Sequence, residues 1–297
     1  MLINNMIWRK LKLLPTRIKW VIKKNRVLHS FLSKSWFFIN RSVRILKSII
    51  LNLSNIRNEL VLLNKNALVI EVSCGGLGDH LFFSHIPRIA KETKQYDKVY
   101  LSMVSPLRRD VHQDFIWKEN PFVDGFVSIP GTIYRGKYDE SVLCQMNILD
   151  QIMLFYNLDD GARFHEPELY YKPKILEEYA GKVIFDPNFV TNLNDTHTLK
   201  SVTKYFEDNN IKVDMQFRPR NNCVPLRGCD KYIDDKSFGE FCDILHSCKD
   251  IYCYATGTAV LSAALGKSSK VFYHDKIHKR FLFSKINKYI YIKEKKK

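Results

Sequence analysis

Residues 67–91 read ALVIEVSCGGLGDHLFFSHIPRIAK, and this stretch decides the fold. An apolar run leads into a turn with three glycines, and an apolar-periodic segment follows. The glycines are Gly75, Gly76 and Gly78. This order predicts a buried strand, a tight loop and a helix. At such a junction α/β proteins bind phosphates and other oxygen-rich ligands, because the free N–H groups of the helix start lie beside the end of the strand. Asp79 lies at the mouth of the loop.

The loop differs from the dinucleotide fingerprint G-x-G-x-x-G. If Gly76 and Gly78 supply its first two glycines, the third position falls on Leu81. The close packing of helix on strand that the third glycine permits is therefore missing. The sequence does not favour NAD as a cofactor.

A second junction of the same kind lies at residues 250–273, which read DIYCYATGTAVLSAALGKSSKVFY. The pattern predicts a strand from Ile251 to Tyr254, a turn at Thr256–Thr258 and a helix from Ala259 to Leu265. Gly266 ends that helix, and another strand follows at Lys270 to Tyr273. The chain therefore carries two strand–loop–helix junctions far apart in sequence.

The first junction resembles the start of the ADP-heptose:lipopolysaccharide heptosyltransferases, glycosyltransferase family 9, which open with a strand, a G-x-L-G-D turn and a helix that carries a proline. The second resembles that family's nucleotide-sugar loop, D-[ST]-G-P-x-H-L-A-A-A-L-G-x-P. The matching residues are Thr256, Gly257, Leu261, Ala263, Ala264, Leu265 and Gly266. The departures are Ala255 for the acid, Thr258 for the proline and Val260 for the histidine.

Other segments between the junctions also resemble the family. Asn120–Asp124 resembles its N-P-x-[VI]-D segment before a strand, and His165–Tyr170 resembles the segment that closes its first domain. The resemblance covers about residues 67–275. It is poorest at 186–198, because Asp186-Pro187-Asn188 replaces a His-Pro-Gly turn and the next lysine is Lys200.

The resemblance implies an α/β fold with two Rossmann-like domains that face across a cleft, the GT-B arrangement. The expected divisions are a basic helical N-terminal extension (1–66), an acceptor domain (67–175), a nucleotide-sugar domain (176–275) and a basic C-terminal helix or tail (276–297). The implied function is metal-independent transfer of a sugar from a nucleotide-sugar to a lipid-linked or surface glycan. The donor is a substrate, and no cofactor is expected.

Sugar transfer needs a base for the acceptor hydroxyl and stabilisation of the leaving diphosphate. Asp79 is the candidate base, with Gly75, Gly76 and Gly78 as binding positions around it. On the donor side the candidates are Thr256, Gly257 and Thr258 at the helix start, with positive charge from Lys200, Arg218 or Arg220. The structural alternative is that Asp79, Thr256 and Thr258 only cap their helices. His80 and His85 are expected to be hydrogen-bonded polar residues, and no D-x-D triplet is present to hold a metal ion.

Positive charge is concentrated at the two ends of the chain. Residues 1–66 carry 14 Lys and Arg against Glu59, and residues 276–297 carry nine against Glu294. The whole chain has a formal net charge of +16, so the part between the ends is mildly acidic. Such ends favour binding to an anionic surface.

The apolar residues among the N-terminal charges, such as Trp8, Trp20 and Trp36, are typical of an interfacial helix. A long amphipathic helix is predicted from Ile39, and no apolar run reaches the length of a membrane span or a signal peptide. We therefore expect a cytoplasmic protein peripheral to the inner membrane. The alternative is a helical hairpin folded on the body; nucleic acid is disfavoured because no reader motif accompanies the charge.

Two other functional classes stay open from the sequence. The chain could be a non-catalytic nucleotide-sugar or glycan-binding scaffold, because the histidine and the phosphate lysine of the family are missing. It could also be a basic peripheral membrane or nucleic-acid-associated protein. The seven cysteines form no C-x-x-C pair, which disfavours zinc and a disulfide framework.

Overall fold

The computed structural model describes residues 66–134, 139–189, 196–220, 223–234, 237–275, 277 and 279–292, together with residue 42. By its contacts the chain divides into two compact units, Met1–Arg57 and Asn58–Lys297. The elements below all belong to the second unit. Almost all of the predicted extension at 1–66, with its amphipathic helix, lies outside the described residues. The domain boundaries given above stay predictions.

The second unit is built of short strands and helices that alternate along the chain. The strands are β1 (Ala67–Glu71), β2 (Lys98–Ser102), β3 (Gly125–Val127), β4 (Thr132–Ile133), β5 (Val183–Asp186), β6 (Met215–Phe217), β7 (Tyr232–Ile233), β8 (Asp250–Tyr254), β9 (Ser269–Tyr273) and β10 (Lys288–Tyr291). The helices are α1 (Leu77–Leu81), α2 (Ile86–Glu92), α3 (Val111–Gln113), α4 (Ile148–Phe155), α5 (Thr196–Asp208), α6 (Phe238–Ser247) and α7 (Gly257–Ala264). Helix α3 continues as a π-helical turn at Asp114–Lys118.

The strands form two sheets, with the orders β3-β2-β1-β4 and β10-β9-β8-β5-β6-β7. Every pairing between these strands is parallel. Parallel neighbours need a crossover connection, which here carries the helices. The predicted α/β class with two parallel sheets is therefore confirmed, whereas the cleft between two domains stays a prediction.

The second junction matches its prediction within two residues at each end. Strand β8 and strand β9 enclose α7, and Gly266 follows the helix with φ at +68°, a conformation that glycine adopts without strain. Residues of β8 such as Ile251 and Cys253 are fully buried, as expected for an inner strand of a parallel sheet.

The first junction differs from its prediction in one respect. The sequence predicts one helix after the glycine turn, but the structure has the short helix α1, a turn at residues 82–85, and then α2. Pro87 occupies the first turn of α2, where its missing N–H costs no hydrogen bond, so it favours a new helix start at this point.

Within the segment 276–297, where a helix or tail was expected, the described residues 288–291 form a strand. Strand β10 pairs with β9 at the edge of the second sheet. Three of its four residues, Tyr289, Ile290 and Tyr291, are of the aromatic and β-branched types that favour strands. Before β10 the chain packs on the first half of the unit, because the Phe283 ring lies 5.1 Å from that of Phe82, edge to face.

A buried ion pair fixes the segment that leads to the second sheet. His165 Nδ1 lies 2.6 Å from Asp150 Oδ1, and its Nε2 lies 3.1 Å from Asp160 Oδ2. Asp150 also accepts the backbone N–H groups of Phe164 and His165. Both ring nitrogens face carboxylates, so hydrogen bonding to Asp150 in particular raises the pKa of His165 despite burial.

Candidate active site

The two glycine loops contact each other directly. A Cβ atom built on Gly78 would lie 3.3 Å from Val260 Cγ2 and 3.5 Å from Gly257 Cα. A Cβ atom built on Gly257 would lie 3.3 Å from Leu77 Cβ. The starts of α1 and α7 are therefore in close contact, and a side chain at either glycine would fit only if its neighbours shifted slightly. Two junctions predicted independently from the sequence are brought to one place.

The other glycines of the first loop permit a close approach to the segment after β2. The carbonyl of Gly75 accepts a hydrogen bond of 2.9 Å from the Arg108 backbone N–H, and a Cβ atom on Gly75 would lie 3.1 Å from the Pro106 carbonyl oxygen. A Cβ atom on Gly76 would lie 2.7 Å from Asp79 Oδ2. Gly75 thus leaves room for the backbone at Pro106, and Gly76 leaves room for the Asp79 carboxylate.

Asp79 lies in the first turn of α1 and is half-buried. Its Oδ2 accepts a hydrogen bond of 3.0 Å from the Gly76 backbone N–H, so it does cap the helix. Burial raises the pKa of this carboxyl, while the Gly76 bond and the positive charges of Arg108 and Arg280 oppose the rise. Among the described residues no hydrogen bond to its second oxygen, Oδ1, accompanies this one. Capping and proton acceptance are therefore compatible in one carboxylate.

Two arginines from distant parts of the chain act on this loop, and sequence reasoning missed both. Arg108 follows β2, and Arg280 belongs to the turn Lys279–Phe281 before β10. Both lower the pKa of Asp79 and of Cys74 through their charge. Arg280 is placed by the Phe281 ring, which stacks on Phe82 after α1. Only the return of the C-terminal segment brings Arg280 here, so no local pattern could predict it.

His80 is fully buried beside Asp79 and has a fixed tautomer. The Trp117 indole N–H donates to its Nδ1 at 2.9 Å, so the ring proton is on Nε2, which donates to the Pro106 carbonyl at 2.8 Å. Burial lowers the pKa of His80 to about 4. His85 is also buried, and its pKa is lowered to about 3. The expectation of hydrogen-bonded polar histidines holds for His80, whereas His85 bonds the Leu149 carbonyl through Nε2 and its buried Nδ1 has no partner among the described residues.

The second loop is held by a carboxylate that sequence reasoning did not single out. Thr256 caps α7, because its hydroxyl oxygen accepts from the Thr258 N–H at 3.3 Å. The Thr258 hydroxyl donates to Asp186 Oδ2 at 2.5 Å. Asp186 is the last residue of β5, is 3% exposed, and has a pKa raised by burial. The signal in the sequence was an acid directly after an apolar strand and before Pro187-Asn188.

Asp186 connects three loops at the carboxyl edge of the second sheet. Its Oδ1 accepts from both the backbone N–H and the side-chain amide of Asn188, at 3.0 and 2.9 Å. The Asn188 side chain in turn accepts from the Arg220 backbone N–H at 2.7 Å and donates to the Arg218 carbonyl at 3.2 Å. The ends of β5, β6 and β8 are therefore tied together through one buried side chain.

Of the basic residues chosen for the donor phosphates, the Arg218 side chain and Lys200 are not brought to the loops. The Arg218 guanidinium pairs with Asp234 and lies 4.9 Å from the centre of the Tyr232 ring. Lys200 is exposed on α5, and among the described residues no contact joins it to either glycine loop. The Arg218 guanidinium is engaged by the nearby Asp234 and Tyr232 side chains, so the place of Arg218 in the sequence did not predict where its charge lies. At the edge where Thr258 lies, the backbones of Arg218 and Arg220 both bond to Asn188, and the charge of Arg220 lowers the pKa of Asp186.

Within the described residues no three His, Cys, Asp or Glu side chains are grouped so that they could hold a metal ion. The seven cysteines are free thiols, and burial followed by the charge of Asp79 raises the pKa of Cys74. No described helix is long and apolar enough to cross a membrane.

The fold and site define an α/β protein with two parallel sheets whose glycine loops meet. No protein-family model matches the chain, and no curated protein matches it either.

Solved structures match the fold. The iron-containing dodecameric glycosyltransferase TibC from enterotoxigenic E. coli H10407 matches with a TM-score of 0.52 and 14% identity, over 75% of this chain and 62% of that chain. The same heptosyltransferase in complex with ADP-D-beta-D-heptose gives 0.51 and 13%, over 75% and 62%. A family 9 glycosyltransferase from Veillonella parvula DSM 2008 gives 0.46 and 9%, over 76% and 84%.

The chain thus has a heptosyltransferase-like fold and spans about three fifths of the TibC chain. TibC is iron-containing, whereas the described residues here offer no group of ligands that fits an iron ion.

Proposed function

We propose that this chain is a glycosyltransferase that moves a sugar from a nucleotide-sugar to a lipid-linked or surface glycan. The observation that carries the proposal is the contact of the two loops at Gly78 and Gly257, which brings the first turn of α1, where Asp79 lies, against the start of α7. The heptosyltransferase-like fold supports it. The bound ADP-heptose of TibC makes an ADP-sugar the first donor to test.

In this mechanism Asp79 Oδ1 takes the proton of the acceptor hydroxyl as its oxygen attacks the anomeric carbon. Burial supports this role, because a carboxylate with a raised pKa is a stronger base. The bond from the anomeric carbon to the diphosphate breaks, and the nucleoside diphosphate leaves with the electron pair. Backbone N–H groups at the start of α7, including that of Gly257, would stabilise its charge. The reaction as proposed needs no metal ion.

The proposal also includes a location. The basic ends would hold the enzyme at the cytoplasmic face of the inner membrane, where a glycolipid acceptor is concentrated. Each cationic residue near an anionic leaflet contributes about 1 kcal/mol. This argument rests on charge and composition alone, because residues 1–65 other than 42 lie outside the described part.

One experiment tests the reaction. Purified full-length protein is incubated with ADP-, UDP-, GDP- and CMP-sugars and extracted envelope glycolipids, with and without EDTA, and release of the nucleotide and labelling of lipid are measured. We expect transfer from one donor class, unaffected by EDTA. Lack of both binding and transfer with every donor contradicts the proposal. Loss of transfer with EDTA contradicts only metal independence.

A second candidate is a non-catalytic nucleotide-sugar or glycan-binding scaffold. A specific observation favours it: Val260, at the position of the family's histidine, packs its Cγ2 beside Gly78. The pairing of Arg218 with Asp234 also leaves the donor phosphates without that cation. Donor binding without transfer or hydrolysis in the same experiment would identify the scaffold.

A further inference from the structure

Asp186 is a buried carboxylate that takes no part in the reaction as proposed. It lies directly below the start of α7, and all three of its hydrogen bonds are accepted from donors, namely Thr258 and the two N–H groups of Asn188. An ionised carboxylate inside a protein is costly unless it is bonded in this way. Asp186 and its partner Asn188 connect the loops that follow β5, β6 and β8, and this position indicates a role beyond packing.

The bond to Thr258 restricts what that threonine can do. A hydroxyl has one proton, and Thr258 donates it to Asp186 Oδ2. Thr258 therefore has no donor left for a phosphate oxygen. The negative charge of Asp186 would also repel a diphosphate bound at the same helix start. Both obstacles have one cause, the ionised state of Asp186.

Protonation of Asp186 removes both obstacles. One proton from solvent binds Oδ2, which then donates to Thr258 Oγ1, and the Thr258 hydroxyl proton is free to turn to a phosphate oxygen. The Asn188 donors keep Oδ1 as their acceptor. No bond of the sugar nucleotide forms or breaks in this step, and the only species transferred is one proton.

We propose that Asp186 is a positioning residue which takes up one proton when a sugar nucleotide binds at the start of α7. The inference rests on the proposed function, since it needs the diphosphate at this loop. It assigns to Asp186 a role in donor recognition that acts through Thr258.

The charged and titratable groups around Asp186 set the direction of the effect. Burial is the largest cause that raises its pKa, and the charge of Arg220 lowers it. On β8 the neighbour is Cys253, whose thiol pKa is raised by burial and then by Asp186. On α1, which packs on α7, the charged group is Asp79. A bound diphosphate raises the pKa of Asp186 further, so binding takes up a proton at pH values between the free and bound pKa values.

The test is titration calorimetry with ADP-glucose, UDP-glucose and GDP-mannose, each in two buffers of different ionisation enthalpy, from pH about 5 to 9. Their phosphates lack the second ionisation of a terminal phosphate, which lies near pH 6, so proton uptake belongs to the protein. We expect binding to take up at most about one proton per sugar nucleotide. Between the free and bound pKa values of Asp186, the affinity should fall by up to about tenfold for each unit that the pH rises. Asp186→Asn should bind with a flat pH profile and without this uptake.

Two further variants make the result specific. Asp243→Asn is the matched control, because Asp243 is also a buried carboxylate that accepts from a hydroxyl, that of Tyr171, and from the Lys174 N–H. It should keep the proton uptake of the wild type. Thr258→Val removes a hydrogen bond to the ionised form of Asp186, so the pH range over which binding takes up a proton should move to higher pH. This variant carries the test if Asp186→Asn does not fold.

The outcomes separate the two proposals. Binding without proton uptake in the wild type, equal uptake in Asp186→Asn, or an unshifted profile in Thr258→Val would overturn the role of Asp186 and leave the transferase proposal standing. Absence of binding by all three sugar nucleotides would overturn the role of Asp186 in donor recognition, and the transferase proposal would fall only if every donor of the transfer experiment also failed.

Discussion

At the scale of single residues, Asp79 and His80 are adjacent but differ in chemistry, because Asp79 is half-buried and His80 is fully buried. One oxygen of Asp79 caps the helix, while His80 is neutral and held between Trp117 and Pro106. The glycine turn alone predicted the position of Asp79. It could not predict the state of His80, because both partners of His80 come from other segments.

Asp79→Asn tests the proposed base. Asparagine can still accept from the Gly76 N–H, so the helix cap and donor binding should survive. Transfer should fall by about 10²- to 10⁴-fold, because the acceptor proton loses its base. Turnover with saturating donor and calorimetric donor affinity are the measurements. Asp208→Asn at the exposed end of α5 is the control, and an undiminished turnover rate would remove Asp79 from the mechanism.

His165→Gln tests the buried ion pair. The folded-state pKa of His165 is raised above 6.5, so its stabilising contribution is complete below that pH and is lost as pH rises through the folded value. We expect the variant to be about 2 kcal/mol less stable near pH 6, as for hydrogen bonds to a charged group, with a smaller difference near pH 9. Urea unfolding at a series of pH values measures this. A difference that grows with pH would refute the assignment.

At the scale of elements, the contact of α1 with α7 decides the site. Each helix follows a strand of a different sheet, and glycine at both starts allows the backbones to meet. The break between α1 and α2 is explained locally, since Pro87 lies in the first turn of α2 and favours a new helix start there. The sequence predicted both junctions but contained no signal for Val260 filling the space beside Gly78.

A double-mutant cycle at Gly78 and Val260 tests this contact. Gly78→Ala puts a methyl group 3.3 Å from Val260 Cγ2. We expect a net loss of about 1 kcal/mol, because overpacking outweighs the better helix propensity of alanine. In the Val260→Ala background the same change should be neutral or stabilising, since the clashing methyl is gone. Urea unfolding gives the four stabilities, and strictly additive effects would mean that the loops are not in contact.

At the scale of the whole molecule, the net charge differs between the two ends of the chain and the part between them. The part between the ends is mildly acidic and holds every strand of the two sheets except β10, while the net positive charge is at the ends. In the C-terminal segment, the Phe283 ring packs on Phe82, and the charge of Arg280 acts on Asp79 in the first loop. The segment then forms the edge strand β10 beside β9.

Deletion of residues 1–60 tests the membrane proposal. The remaining chain keeps nearly all of the compact unit Asn58–Lys297, so nucleotide binding should be retained. Binding to anionic vesicles should be lost, because the deletion removes most of the N-terminal positive charge and its apolar partners. Sedimentation with anionic and with neutral vesicles at low and high salt measures this. Equal sedimentation of the truncated and full-length proteins with anionic vesicles would refute anchoring by this segment.

The sequence by itself determined the two strand–loop–helix junctions, the α/β class and the asymmetry of charge. These follow from the period of apolar residues, from glycines and from composition, which are local properties of the chain. Only the tertiary structure decided that Gly78 meets Gly257, that Thr258 bonds Asp186, that Arg218 pairs with Asp234, and that residues 288–291 form a strand. The partners in the first two contacts are far apart in sequence, and the others depend on competing neighbours, so packing of the whole unit selects them.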